Sequence, residues 1–307
     1  MSGRHHHGEY SAVNDYADDV AYLAGLRERL ALPGTVDVHT HFMPESVMNK
    51  VWAYFDSAGP LVGRPWPITY RDEEQVRLKT LRAFGVRAFT ALVYPHKPDM
   101  AAWLNGWTAE FAAATPDCLH TATFYPEPTA ADYVATAIER GARVFKVHIQ
   151  VGDFAPNDPL LTPVWGLIAE SGVPVVIHCG SGPAPGRFTG PEPIAELLGR
   201  FPGLRLIVAH MGTPEYSEFL DLAERHPTVS LDTTMAWTDF CEQDAPYPRA
   251  EYGRLRALSD RILFGSDFPN IPYSYTHAVR AVERLDLGAD WQRKVFWENG
   301  TRMFGLV

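Results

Sequence analysis

The stretch TVDVHTHFMP, residues 35–44, begins as a buried strand and ends in an aromatic, proline-containing turn. Two histidines, His39 and His41, stand two positions apart within it. Strand side chains alternate between faces, so both imidazoles are expected on one side. A hydrophobic strand that ends in two imidazoles suggests a core element whose last residues enter a polar site.

Working outward, seven more runs rich in β-branched or aromatic residues follow. They are RAFTALVYP (87–95), HTATFYP (120–126), RVFKVHI (143–149), PVVIHCG (174–180), LRLIVAH (204–210), VSLDTTM (229–235) and ILFGSDFP (262–269). Amphipathic segments separate them. In TAADYVATAIERG, Thr129 can cap the first turn, Ala135, Ile138 and Ala142 share a face, and Gly141 can end the helix. LTPVWGLIAESG places Pro163 just inside a helix start and Gly172 just past its end. Eight strand–helix units predict a parallel sheet closed into a (β/α)8 TIM barrel over 34–307. The last helix, 289–305, is expected to bury Trp291, Val295 and Phe296, with Asn299 and Gly300 interrupting it. Residues 1–33 read as an N-terminal extension, partly helical around 16–31. His5, His6 and His7 in that leader read as solvated.

Helix-to-strand connections are tight, as in FGVRAF and SGVPVV. Strand-to-helix connections (42–70, 180–192, 236–250, 269–276) are long and rich in Pro, Gly and aromatics. Such barrels build their sites at the C-terminal ends of the strands. His39 and His41, Lys146 and His148, His178, His210 and Asp267 all fall there. Each alone is compatible with a satisfied core residue. Together they would be costly to bury unless paired or bound to a cation. Imidazole and carboxylate suit Zn2+, with Mn2+ or Fe2+ as alternatives.

The chain has 307 residues, 46% hydrophobic and 12% aromatic, ample for a large core. A net charge of −10 and the lack of a basic stripe argue against nucleic acid and anionic membrane as partners. The apolar runs are strand-sized, the opening residues carry no secretory pattern, and the three cysteines, Cys118, Cys179 and Cys241, lack metal spacing. A cytoplasmic enzyme with a small-molecule substrate is therefore expected, a homo-oligomer being compatible with the sequence.

DVHTH, VIHCG, VAHMG and FGSDFP, in that order, resemble the amidohydrolase superfamily, and most closely its amidohydrolase 2 branch. The resemblance extends from residue 35 to about 305 and implies a TIM barrel, metal ligands His39, His41, His178 and Asp267, and a catalytic or substrate-polarising His210. It implies that Asp267 moves the proton of a metal-activated water. Lys146 stands where some superfamily members carry a carboxylated lysine between two metals. Branch members are commonly one-metal enzymes, so one ion is expected, with Lys146 and His148 as second-metal or substrate residues. The branch includes hydrolases of C–O and C–N bonds and non-oxidative decarboxylases of aromatic or unsaturated acids. Decarboxylase relatives often read HGGG after the sixth strand, whereas this chain has HMGTPEY, which shifts the expectation toward hydrolysis of a lactone, ester or amide. A metal-free lyase using Lys146 as a Schiff-base nucleophile and a non-catalytic barrel are the readings from other classes. Arg187 could receive an anionic group, and Phe42, Met43, Tyr94, Tyr125, Trp237 and Tyr273 could wall an apolar pocket, Trp237 being a substrate contact.

Overall fold

The computed structural model describes residues 16–306, so the histidines of the leader lie outside the described residues. Nine short parallel strands run in chain order: β1 Thr35–Asp37, β2 Val86–Thr90, β3 Cys118–Leu119, β4 Thr121–Thr123, β5 Val144–His148, β6 Val175–His178, β7 Leu206–Val208, β8 Val229–Asp232 and β9 Ile262–Leu263. Each pairs with its neighbours within two ladders, β1-β2-β3 and β4 through β9. Only His120 separates β3 from β4, and its carbonyl accepts from Arg143 N at 2.8 Å. The pair is therefore one interrupted strand, and the eight expected units stand.

The ring closes between the first and last strands. Val38 N donates to Phe264 O (3.0 Å), Asp267 N to His39 O (2.8 Å) and His41 N to Phe268 O (2.7 Å). Thr40 and Phe268 form a parallel bridge. The strands are shorter than the sequence runs because each run's last residues leave the ladder to shape the mouth. The two imidazoles do share one side, as expected, but from beyond the ladder. Regular strand ends at Asp37, and His39 and His41 extend from a bend that follows it.

Side chains divide by face. Val36, Ala88, Val144, Val176, Ile207 and Leu263 fill the barrel interior together with Phe304 of the last helix. Phe89, Phe145, Val147, Ile177, Leu206 and Leu231 point outward to the helical ring. The helix Ala17–Leu30 joins that outer layer through buried Leu23, Leu26 and Leu30. On Ala130–Glu139 the fully buried residues are Ala130, Val134 and Ala137; of the expected face, Ile138 packs partly buried against the core and Ala142 is buried in it, and Thr129 makes no side-chain cap. The C-terminal segment buries Trp291, Val295 and Phe296. Its irregularity is a π-helical turn over Lys294–Glu298, before Asn299 and Gly300. Asn299 is helical and donates Nδ2 to the Ser259 and Ile262 carbonyls, and Gly300 sits against Val36. No described helix is long and apolar enough to cross a membrane.

Candidate metal centre at the barrel mouth

The strand ends surround a cavity of about 1120 Å3, with His39, His41, Lys146, His148, His178, His210 and Asp267 in its wall. His39, His41 and Asp267 converge, with one ligand atom from each within 4.8 Å of the others. Hydrogen bonds fix how the rings face. The Asp232 carboxylate accepts from His39 Nδ1 at 2.9 Å, and the Leu92 carbonyl accepts from His41 Nδ1 at 2.9 Å. Both rings thus carry their proton on Nδ1 and present a bare Nε2. His41 Nε2 then lies 2.8 Å from Asp267 Oδ1, and His39 Nε2 lies 3.6 Å from it. Two lone pairs at 2.8 Å repel, so this geometry requires a positive centre between them, either a proton or a cation. Two imidazole nitrogens and a carboxylate oxygen are the donor set of a divalent transition-metal site, so the residues fit the metal.

His178 lies beside this trio rather than within it. Its ring stacks on His148, with centroids 3.8 Å apart, and its Nε2 donates to Gly182 O at 2.9 Å. Nδ1 is the nitrogen left for a ligand. His148 accepts from Val151 N through Nδ1 at 3.3 Å, which leaves its Nε2–H without a partner among the described residues. His210 gives Nδ1–H to Thr234 O at 3.2 Å. Lys146 is fully buried, and its Nζ finds no hydrogen-bond partner among the described residues.

Two carboxylates that the sequence reading passed over hold the site together. Asp232, fully buried at the end of β8, accepts from His39 Nδ1, His210 N (2.9 Å) and Thr234 N (3.1 Å). Asp37 accepts from His39 N, from Ser266 N and Oγ, and from Tyr275 OH. The signal for Asp232 was available: a lone carboxylate closes the run VSLD. His210 and Asp267 also adopt left-handed backbone, φ 55° and 71°. Non-glycine residues there cost about 1 kcal/mol or more each, and such strain gathers at functional sites.

Two expected substrate contacts lie elsewhere. Arg187 is exposed, stacks on Phe188 and does not line the cavity. Trp237 is buried and packs on Tyr247 outside the cavity wall, as loop 236–250 folds inward. Of the expected pocket aromatics, Tyr94 lines the cavity, whereas Phe42 is core, stacked on Phe111.

Burial dominates the electrostatics. It lowers His39 to about 4, helped by the Lys146 charge, and lowers His210 to about 4. His148 and His178 are driven well below their usual value by burial and by each other or His210. Burial lowers Lys146 to about 8 against the pull of Asp232 and Asp267. Burial would raise Asp232, but His39 and then His210 hold it at about 2. Asp267 is likewise held far below the carboxylate range, burial being outweighed by His41, His39 and His210.

A stability effect follows for metal-depleted protein. The unfolded chain protonates these imidazoles near 6.5, whereas folded His39 and His210 stay neutral down to about 4. The unfolded state binds more protons in that window, so stability rises with pH there and falls on acidification. A loss on the order of 3 kcal/mol per histidine is the upper bound for so buried a group. Thermal melts at pH 7 and pH 5 are expected to show a lower midpoint at pH 5. Burial raises the Asp37 carboxyl to about 7, which acts in the opposite sense over the same window, so an unchanged midpoint would mean that Asp37 offsets these rings or that they are already charged in the fold.

The family model described as amidohydrolase matches residues 36–306. An uncharacterized TIM-barrel protein from Bordetella bronchiseptica has a similar structure (TM-score 0.72, 19% identity), covering 89% of this chain and 99% of that one. 5-Carboxyvanillate decarboxylase LigW from Sphingomonas paucimobilis is similar at TM-score 0.60 and 16% identity, covering 90% and 100%. A probable 2-pyrone-4,6-dicarboxylic acid hydrolase from Acinetobacter baumannii is similar at TM-score 0.58 and 14% identity, covering 89% and 99%. No curated protein matches the chain significantly. At these identities the solved structures carry the fold, and the family model spans nearly the whole barrel: this chain belongs to the amidohydrolase family.

Proposed function

We propose that this protein is a metal-dependent hydrolase that cleaves a C–O or C–N bond of a lactone, ester or amide. The observation that carries the reading is the lone-pair convergence of His39 Nε2, His41 Nε2 and Asp267 Oδ1 on the cavity wall. These three would hold one divalent ion, Zn2+ first, with His178 Nδ1 able to join them. Such an ion supplies Lewis acidity to a water and to the scissile carbonyl.

The chain's own groups divide the remaining work. Asp267, kept ionised by its histidine neighbours, accepts the proton of the attacking water at a carboxylate oxygen and returns it to the leaving group. Neutral His210 donates Nδ1–H to Thr234, so its Nε2 is an acceptor suited to orienting a water or a substrate N–H or O–H. The expected role of polarising a carbonyl passes more naturally to His148, whose Nε2–H is free to donate.

One observation favours a second reading. Lys146 is a buried cation without a hydrogen-bond partner among the described residues, and a substrate carboxylate, which decarboxylation of an unsaturated acid would bring, would satisfy it. Depleting the protein of metal and restoring Zn2+ or Mn2+ while following products separates the two. Hydrolysis products at one ion per chain are expected. Release of CO2 from an aryl carboxylic acid would establish the lyase instead, and full turnover without metal would remove the ion from the reaction.

A further inference from the structure

Besides the residues of the chemistry above, the cavity wall carries apolar side chains that the chemistry does not use. The insertion after β1 forms the helix Glu45–Ser57, whose two apolar stripes do different jobs. Met48 and Trp52 are buried in the fold. Val47, Val51, Tyr54 and Phe55 line the cavity, Val47 and Val51 also packing against the Met48 and Trp52 cluster, and Ser46 and Lys50 of the same helix line it beside them. The four apolar residues follow the spacing of one helical face. Trp103, from the helix Ala101–Ala114, lines the same cavity.

These groups are poorly covered. Tyr54 is 49% exposed and Trp103 51%, and they are two of the three large hydrophobic residues exposed among the described residues. Single exposed apolar residues are ordinary, whereas a clustered apolar surface inside a concavity marks a ligand site. The volume supports this, because about 1120 Å3 exceeds the ~300–1,000 Å3 of most small-molecule sites.

We infer that the substrate carries an extended apolar tail, an acyl or arylalkyl chain, which lies along Val47, Val51, Tyr54, Phe55 and Trp103 while its cleavable group sits at His39, His41 and Asp267. This inference rests on the hydrolase reading for the cleavable group, but the tail site itself is defined by the apolar wall.

The test therefore separates binding from turnover. Straight-chain carboxylates from acetate to dodecanoate are titrated calorimetrically into the full-length protein, with and without Zn2+. Affinity is expected to climb about fourfold per added methylene, the increment of full apolar burial, until the chain reaches the rim. Val51→Glu, and separately the double variant Tyr54→Ala with Trp103→Ala, should flatten that slope to less than about 1.5-fold per methylene. Tyr54 and Trp103 are half-exposed, so the double variant keeps the fold testable if Val51→Glu does not. In parallel, 4-nitrophenyl esters of the same chain lengths are assayed for turnover. A chain-length slope in binding without ester turnover would sink the hydrolase reading and leave the tail site standing. Equal affinity at all lengths, no binding at any length, or a slope unaltered in both variants overturns the tail site whatever the turnover shows.

Discussion

Asp267→Asn is expected to lower turnover at saturating metal by at least ~100-fold, the usual scale for a lost general base. The amide has the size of the carboxylate but neither its charge nor its basicity. Metal affinity should fall as well, because an amide is a poorer ligand for a divalent cation. A turnover loss below about tenfold would take Asp267 out of the proton transfer and leave it an orienting role.

Asp232→Asn should weaken metal binding by about 10–100-fold, although Asp232 is not expected to touch the ion. One carboxylate holds the His39 ring through Nδ1 and the strained His210 backbone through its N–H. An asparagine has a single acceptor oxygen for two oriented donors and would set its own N–H against the other. The His39 ring would lose the partner that keeps its proton on Nδ1, and Nε2 would no longer be held bare toward the site. The readouts are zinc affinity by chelator competition and the acidic limb of the pH–rate profile. A purely structural role would lower the melting midpoint and leave both unchanged.

Much of this arrangement was legible in the primary structure. Strand–helix alternation and the polar residues closing each run located the barrel and its mouth, because period and position along a strand are local properties. His39, His41 and Asp267 were found for that reason, each being conspicuous in an apolar run. Asp232 and Asp37 escaped because their importance lies in partners far along the chain, 193 residues away for His39–Asp232 and 229 for Asp37–Ser266. Arg187 and Trp237 show the reverse difficulty. Loop residues carry no periodicity, so nothing local distinguishes a side chain that enters the cavity from one that packs away from it. The π-helical turn at Lys294–Glu298 also lay beyond local reading, which favoured a break at Asn299 and Gly300.

The seam between the two ends of the barrel has a consequence for how the molecule is made and kept. His39 and His41 come from the first strand segment and Asp267 from the last, and the backbone bonds Asp267 N to His39 O and His41 N to Phe268 O join the same few residues. The ion's proposed pocket and the closing joint are one place. The pocket is absent until the last strand joins the first, so a capacity to bind metal would report closure of the barrel. Once bound, an ion that binds only the closed form acts as a clasp across the joint, raising the free energy of opening by RT ln(1 + [ion]/Kd). Chelation would then do more than silence the chemistry: it would unlatch the barrel at the line where its beginning meets its end.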